Sequence, residues 1–263
     1  MLALIAGRGG LPARIAAAQS TPPLICALQG FEPDGLVSDE VFRLEQLGSL
    51  LVDLKERGVS EVCMCGAIER PPIDPSALDD ATLPLVPIIM KALSSGDDGA
   101  LRAVIAVLEA QGFVVRAAQD LAPDIIVRAG VLSAAEPDDQ MLADAAKAEA
   151  VLTALSPLDV GQGCVVGKGQ VWAIETLGGT DHMLDTLPAS CAKARAILLK
   201  KPKLGQDRRV DMPTIGPATV IAAARAGLAG ILVEAGSVIL LEPEATRTAA
   251  DAAGLVLWAR AAS

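Results

Sequence analysis

Short apolar runs closed by glycine alternate along the chain with segments of helical period. Residues 2–6 (LALIA) form such a run, followed by Gly7-Arg8-Gly9-Gly10 and a helical stretch over 11–19. A second run, 24–28 (LICAL), precedes a helix over 49–57 that Gly58 stops, and a third, 61–65, ends at Gly66. Runs of this length between helical segments predict parallel strands joined by crossover helices. Helices over 85–93 and 100–110 follow, with Asp97 and Asp98 placed to cap the second, and then a strand over 113–117. Periodicity is lost in GVLSAAEPDD, so residues 131–139 read as a linker between domains 1–130 and 140–263. Beyond it the pattern predicts a helix over 140–155, a hairpin of strands 164–166 and 171–176 around GKGQ, and a helix over 218–226 ended by Gly227. Strands 231–234 and 238–241, a helix over 243–253 and a strand over 255–259 complete a second α/β unit.

Composition narrows the function more than the fold. The 263 residues suffice for one large domain or two ordinary ones. They are 52% hydrophobic and only 2% aromatic, with no tyrosine, so the core is aliphatic and disorder is excluded. A net charge of −10 excludes duplex nucleic acid as the main partner, and the scarcity of aromatic residues excludes base stacking. No run reaches the ~18 apolar residues of a membrane span, and the N-terminus lacks a basic leader, so a soluble cytoplasmic protein is expected. Five cysteines without framework spacing fit reduced, buried thiols, and C-x-C at Cys63 and Cys65 is not zinc-knuckle spacing.

Against that acidic background, KKPKLGQDRRVDMPTIGPAT over 200–219 gathers Lys200, Lys201, Lys203, Arg208 and Arg209 within ten positions. Pro213 pushes Met212 toward extended geometry, Thr214 can cap the next helix, and Pro217 falls in its first turn. Asp211 then precedes a helix N-terminus suited to a phosphate; a solvated basic loop before an ordinary capped helix is the alternative. The glycine loop has the context of a phosphate-binding turn, but Pro12 takes the third Rossmann glycine position and no acid follows the second strand. A dinucleotide site is therefore disfavoured, leaving another nucleotide or phosphate contact, or a plain tight turn. Paired acids in ETLGGTD (Glu175, Asp181) can hold Mg²⁺, and a capped turn explains them equally well. His182 is the sole histidine, so a histidine zinc site or a histidine-centred triad has little support.

Together, LALIAGRGGLP, SGDDGALR, DVGQGCVV, AIETLGGTDHML, QDRRVDMPTIGPATV and GLAGILVEAG resemble the LpxI-type UDP-2,3-diacylglucosamine diphosphatases of lipid A biosynthesis, over residues 2 to 260. The resemblance implies a Rossmann-like N-terminal parallel-sheet domain, a distinct C-terminal α/β catalytic domain, and an amphiphilic sugar-nucleotide substrate held between them. It implies Mg²⁺- or Mn²⁺-assisted attack of water on the α-phosphorus, giving UMP and 2,3-diacylglucosamine 1-phosphate. The family's essential aspartate, in R-x-D-L-P-x-I-G, falls on Asp211, as catalytic residue and metal ligand. Substrate contacts are implied at Gly7, Gly9, Gly10 and Leu11, at Asp98, and at Gln162 of DVGQG. They are also implied at Thr180 and Asp181, at Lys203, Gln206, Arg209 and Thr214, and at Glu234 of VEAG. Departures are Leu204 where proline is expected, Met212 for leucine, and the charge of Arg8. Peripheral contact with the cytoplasmic face of the inner membrane and a homodimer are further expectations. A non-catalytic sugar-nucleotide or lipid-binding protein is the competing reading.

Overall fold

The computed structural model describes residues 1–69, 73–93 and 97–261, with the side chains of 92–98 outside the described set. The chain forms two compact α/β units, one of Met1–Pro123 with Asp207–Asp211, the other of Asp124–Gln206 with Met212–Ser263.

In the first unit the elements run β1 (Leu2–Ala6), α1 (Leu11–Ala17), β2 (Leu24–Leu28), β3 (Glu40–Phe42), α2 (Leu47–Glu56) and β4 (Glu61–Cys65). They continue with α3 (Val86–Leu93), α4 (Asp97–Ala110), β5 (Val114–Val115) and α5 (Ala118–Leu121). The five strands are all parallel, in the order β3-β2-β1-β4-β5. Alternation along each strand divides the core between two faces. Ala3, Cys26, Leu28 and Val62 pack with Leu50, Leu51 and Leu54 of α2 and with Ile105 and Leu108 of α4. On the other face Leu4, Ala6 and Cys63 are fully buried, as is Ile15 of α1. The strand expected over 113–117 shrinks to Val114–Val115, because Arg116 N makes the last ladder bond, to Val62 O, before α5 begins. β3 was not foreseen.

The second unit holds β6 (Gly130–Val131), α6 (Asp139–Leu155), β7 (Gly163–Gly167), β8 (Gln170–Ile174), α7 (Gly179–Asp185) and β9 (Ile197–Lys200). It ends with β10 (Thr214–Ile215), α8 (Pro217–Arg225), β11 (Gly230–Glu234), β12 (Ile239–Leu240), α9 (Pro243–Ala253) and β13 (Val256–Arg260). Its main sheet is mixed, ordered β6-β13-β11-β9-β7-β8, with β13, β11 and β9 parallel and the others antiparallel. β11 is buried along its whole length, as a central strand covered on both faces should be. One face packs on Met141, Ala145, Ala148 and Leu152 of α6. The other packs on Met183 and Leu184 of α7, Val220 and Ala223 of α8, and Ala250 of α9. The β7–β8 turn is held by buried Asp144 of α6, whose carboxylate accepts from Lys168 N (3.0 Å) and Gly169 N (2.6 Å).

Two expectations change here. Residues 131–139 are tied into the second unit instead of linking the two: Val131 pairs with Trp258, Leu132 N donates to Leu257 O, and Ala134 N donates to Asp251. Thr214 does not cap α8. It lies in β10 opposite Ile239, its hydroxyl donates to Met212 O, and the cap position belongs to Gly216, with Pro217 in the first turn as expected. All five cysteines are buried and unbridged; burial pushes the Cys26 thiol up to about 12 and that of Cys164 up to about 11. Among the described residues no helix is long and apolar enough to cross a membrane.

Candidate functional site

Several of the sequence-predicted residues lie near the carboxyl ends of parallel strands, the glycine loop after β1 in the first unit and Lys203, Gln206 and Glu234 after β9 and β11 in the second, where α/β sheets place ligands. In the first unit β1 runs straight into the glycine loop. Gly7 N donates to Cys65 O, and Arg8 and Ala67 exchange two backbone bonds, so the loops after β1 and β4 are stitched together. The stitch explains Gly7, since a Cβ there would lie 2.6 Å from Ala67 O, and Gly66, where it would lie 2.5 Å from Gly7 O. Gly9 (φ 92°) and Gly10 face open space instead, and Leu11 opens α1. Arg8 reaches across to the loop after β2, bonding Gly30 O at 2.6 Å with its guanidinium 4.7 Å from the Phe31 ring centre; Glu69 is 3.6 Å away.

Asp211 sits at the end of the short segment that packs with the first unit. Three tethers fix that segment. Val210 packs against the α2/α4 core, Gln119 Nε2 donates to Arg208 O at 3.1 Å, and Arg209 bonds Glu109 of α4 at 2.7 Å. Arg209 also grips Asp207 through Nε (3.0 Å) and a second guanidinium nitrogen (2.7 Å), which holds the Asp207 carboxyl below its ordinary range. Asp211 is half-buried, its N–H bonded to Asp207 O. β10 intervenes in sequence between Asp211 and α8, so Asp211 does not immediately precede that helix. Gln119 Oε1 is buried and accepts no hydrogen bond among the described residues.

In the second unit the end of β9 organises the chemistry. Successive strand residues point to opposite faces. Lys200 accordingly turns toward α7, donating to Thr180 Oγ1 (2.7 Å) with Glu175 Oε2 at 3.9 Å. Lys201 turns toward α6, with Thr153 at 3.5 Å, Glu149 at 3.9 Å and Glu234 at 3.7 Å. Arg260 at the end of β13 also bonds Glu149. Lys203 bonds Asp159, while its N–H donates to Gln206 Oε1 at 2.8 Å. Gln162 meets this edge through its carbonyl, which accepts from Lys201 N at 3.0 Å. Lys200, Lys201, Lys203 and Arg209 of the expected cationic cluster each have a carboxylate partner of their own.

Gln162, Thr180, Lys203, Gln206 and Glu234 come together around this strand end, whereas Thr214 lies in β10 and Asp181 and His182 are exposed on α7. The Asp98 side chain lies outside the described residues, although its backbone is in the first turn of α4. Glu175 is drawn to Thr180 and Lys200 rather than paired with Asp181. The roles of Gly161 and Gly163 in DVGQG were not legible: a Cβ on Gly161 would fall 1.9 Å from Glu175 O, and one on Gly163 2.5 Å from Glu175 Oε2. Among the described residues no three His, Cys, Asp or Glu side chains group to hold a metal ion.

Residues 1–125 match the family model described as the LpxI N-terminal domain, and residues 128–258 the one described as the LpxI C-terminal domain. The chain is also 35% identical over 266 residues to the UDP-2,3-diacylglucosamine pyrophosphatase LpxI of Caulobacter vibrioides, covering 97% of this chain and 95% of that protein.

Proposed function

The chain belongs to the LpxI family, and from that premise we propose that it hydrolyses UDP-2,3-diacylglucosamine in lipid A biosynthesis. Water attacks the α-phosphorus, the bond to the bridging oxygen breaks, and UMP leaves with the water oxygen while 2,3-diacylglucosamine 1-phosphate takes the bridging one. The observation that supports the reading is the segment of Asp211, the residue on which the resemblance puts the family's aspartate: it has three separate tethers. A reacting carboxylate must be held this firmly to act on a positioned water.

A divalent cation is part of the proposal. Mg²⁺ commonly takes one or two carboxylates and completes its shell with water and substrate phosphates, so a single aspartate fits where a cage of acids would not be required. Asp211 would hold Mg²⁺ or Mn²⁺, which supplies charge neutralisation at the phosphates.

Hydrolysis in ¹⁸O-labelled water with Mg²⁺, on native protein and Asp211→Ala, tests the reading. Label is expected in UMP, with the substitution costing at least about 10³-fold in kcat/KM. Label in the sugar phosphate would move the attack to the β-phosphorus. No turnover by folded native protein would sink hydrolysis and favour a sugar-nucleotide or lipid-binding protein.

A further inference from the structure

We propose that Lys200 binds an oxygen of the substrate's diphosphate, with Thr180 and Glu175 as positioning residues that aim its ammonium. The identity of the ligand rests on the sugar-nucleotide reading above. The lysine ends β9, beside β11 and at the carboxyl edge of the parallel strands, and its side chain is 9% exposed.

An ammonium carries three N–H donors. Among the described residues Lys200 gives one of them, to Thr180 Oγ1 at 2.7 Å; Glu175 Oε2, at 3.9 Å, balances charge from beyond hydrogen-bonding distance. The Thr180 hydroxyl has a single proton, and that proton is committed to Glu175 Oε2 at 2.8 Å. Thr180 therefore only accepts from Lys200, and the chain from Lys200 through Thr180 to Glu175 has one direction. Gly161 and Gly163 leave the space in which Glu175 sits.

Two donors of a nearly buried cation thus remain for a ligand, whereas buried donors are otherwise almost always matched. The neighbouring lysines differ. Lys201 lies between Glu149 and Glu234 with Thr153 in reach, and Lys203 bonds Asp159 directly. A compact ammonium held this way suits a phosphate oxygen better than a sugar hydroxyl, because charge-assisted bonds are the stronger ones.

The test is calorimetric titration with UDP, which carries both phosphates, on native protein, Lys200→Gln and Thr180→Val, alongside kinetics on UDP-2,3-diacylglucosamine. Lys200→Gln should weaken UDP at least about tenfold, the scale of one hydrogen bond to a charged group. It should also reduce the salt dependence of UDP affinity. Thr180→Val keeps both charges and should weaken UDP by a smaller factor, with KM rising more than kcat falls; it carries the test if Lys200→Gln does not fold. A merely structural Lys200 would lower the unfolding midpoint and leave UDP affinity and its salt slope as in the native protein, which would overturn the assignment, as would native protein that binds no UDP. Native protein that binds UDP through Lys200 without turning substrate over would break the hydrolysis reading and leave this one standing.

Discussion

Glycines crowd the carboxyl ends of the parallel strands in both units, but they make room for different things. In the first unit Gly7 and Gly66 let two loops close backbone to backbone, and the charge beside them, Arg8, lies in solvent with its side chain 52% exposed. In the second, Gly161 makes room for the Glu175 main chain and Gly163 for its carboxylate, and the charge that carboxylate meets, Lys200, is enclosed. Both edges use glycine to bring main chain close, but only the second also encloses a pair of charges. An exposed charge is screened and replaceable, while an enclosed one is expensive to leave unmatched. The two edges should therefore respond very differently to the same small changes.

The largest contrast comes from adding one methyl group to a glycine at each edge. Gly161→Ala puts a Cβ 1.9 Å from Glu175 O at a residue with φ 42°, so the Glu175 loop must move. The expected cost is more than about 3 kcal/mol, with loss of UDP binding, since strain and a displaced buried charge add. Gly9→Ala meets nothing within 4 Å, and its cost should stay near the ~1–2 kcal/mol of a left-handed alanine. Urea unfolding of the two variants measures both, and equal costs would erase the distinction between the edges.

A second test asks whether the first unit can bury charge at all, and it does so away from its glycine edge. The Glu45 side chain is 3% exposed and accepts from Arg43 (3.1 and 3.3 Å) and from Asp74 N (2.7 Å), so the carboxyl is pulled from 4.5 down to about 2, chiefly by the Arg43 hydrogen bonds. A depressed carboxyl contributes stability that is fully present above pH 4.5 and lost as pH falls through about 2. Glu45→Gln should remove about 2–3 kcal/mol at neutral pH and flatten the acid limb of the stability profile, without changing UDP affinity. A weakened UDP affinity would mean that buried charge in the first unit also serves the ligand.

How much of this was readable in the chain follows from how local each cause is. LICAL and the GILV of β11 announce themselves, because a strand buried on both faces must be largely apolar. β9 does not: Ile197, Leu198 and Leu199 are a three-residue run that passes straight into Lys200 and Lys201, and the polar neighbourhood hides a central strand. Missing it turned two lysines on opposite faces into one cationic patch. Asp211 could be singled out from its motif, but the partners that fix its segment, Glu109 and Gln119, are about ninety to a hundred residues away, and no local pattern names them. Thr214 shows the reverse error. A threonine before an alanine-rich helix satisfies every local rule for a cap, yet pairing with Ile239 draws it into a strand.

The smallest effect is expected at Arg8, and it sharpens the comparison from the exposed side. Its guanidinium joins the loops after β1, β2 and β4 through Gly30 O, the Phe31 ring and Glu69. A geometry this complete invites a large stability role, but more than half of the side chain is in water, where the ion pair is screened and the cation–π contact is worth only ~0.5–1 kcal/mol. A double-mutant cycle of Arg8→Ala with Phe31→Leu should give a coupling of about that size, nearly unchanged by salt, because the ring offers a quadrupole rather than a counter-charge. Arg8→Lys should recover little of it, since a compact, strongly hydrated ammonium cannot stack on the ring while reaching Gly30 O. A coupling well above that range would mean that this edge too derives its order from charge.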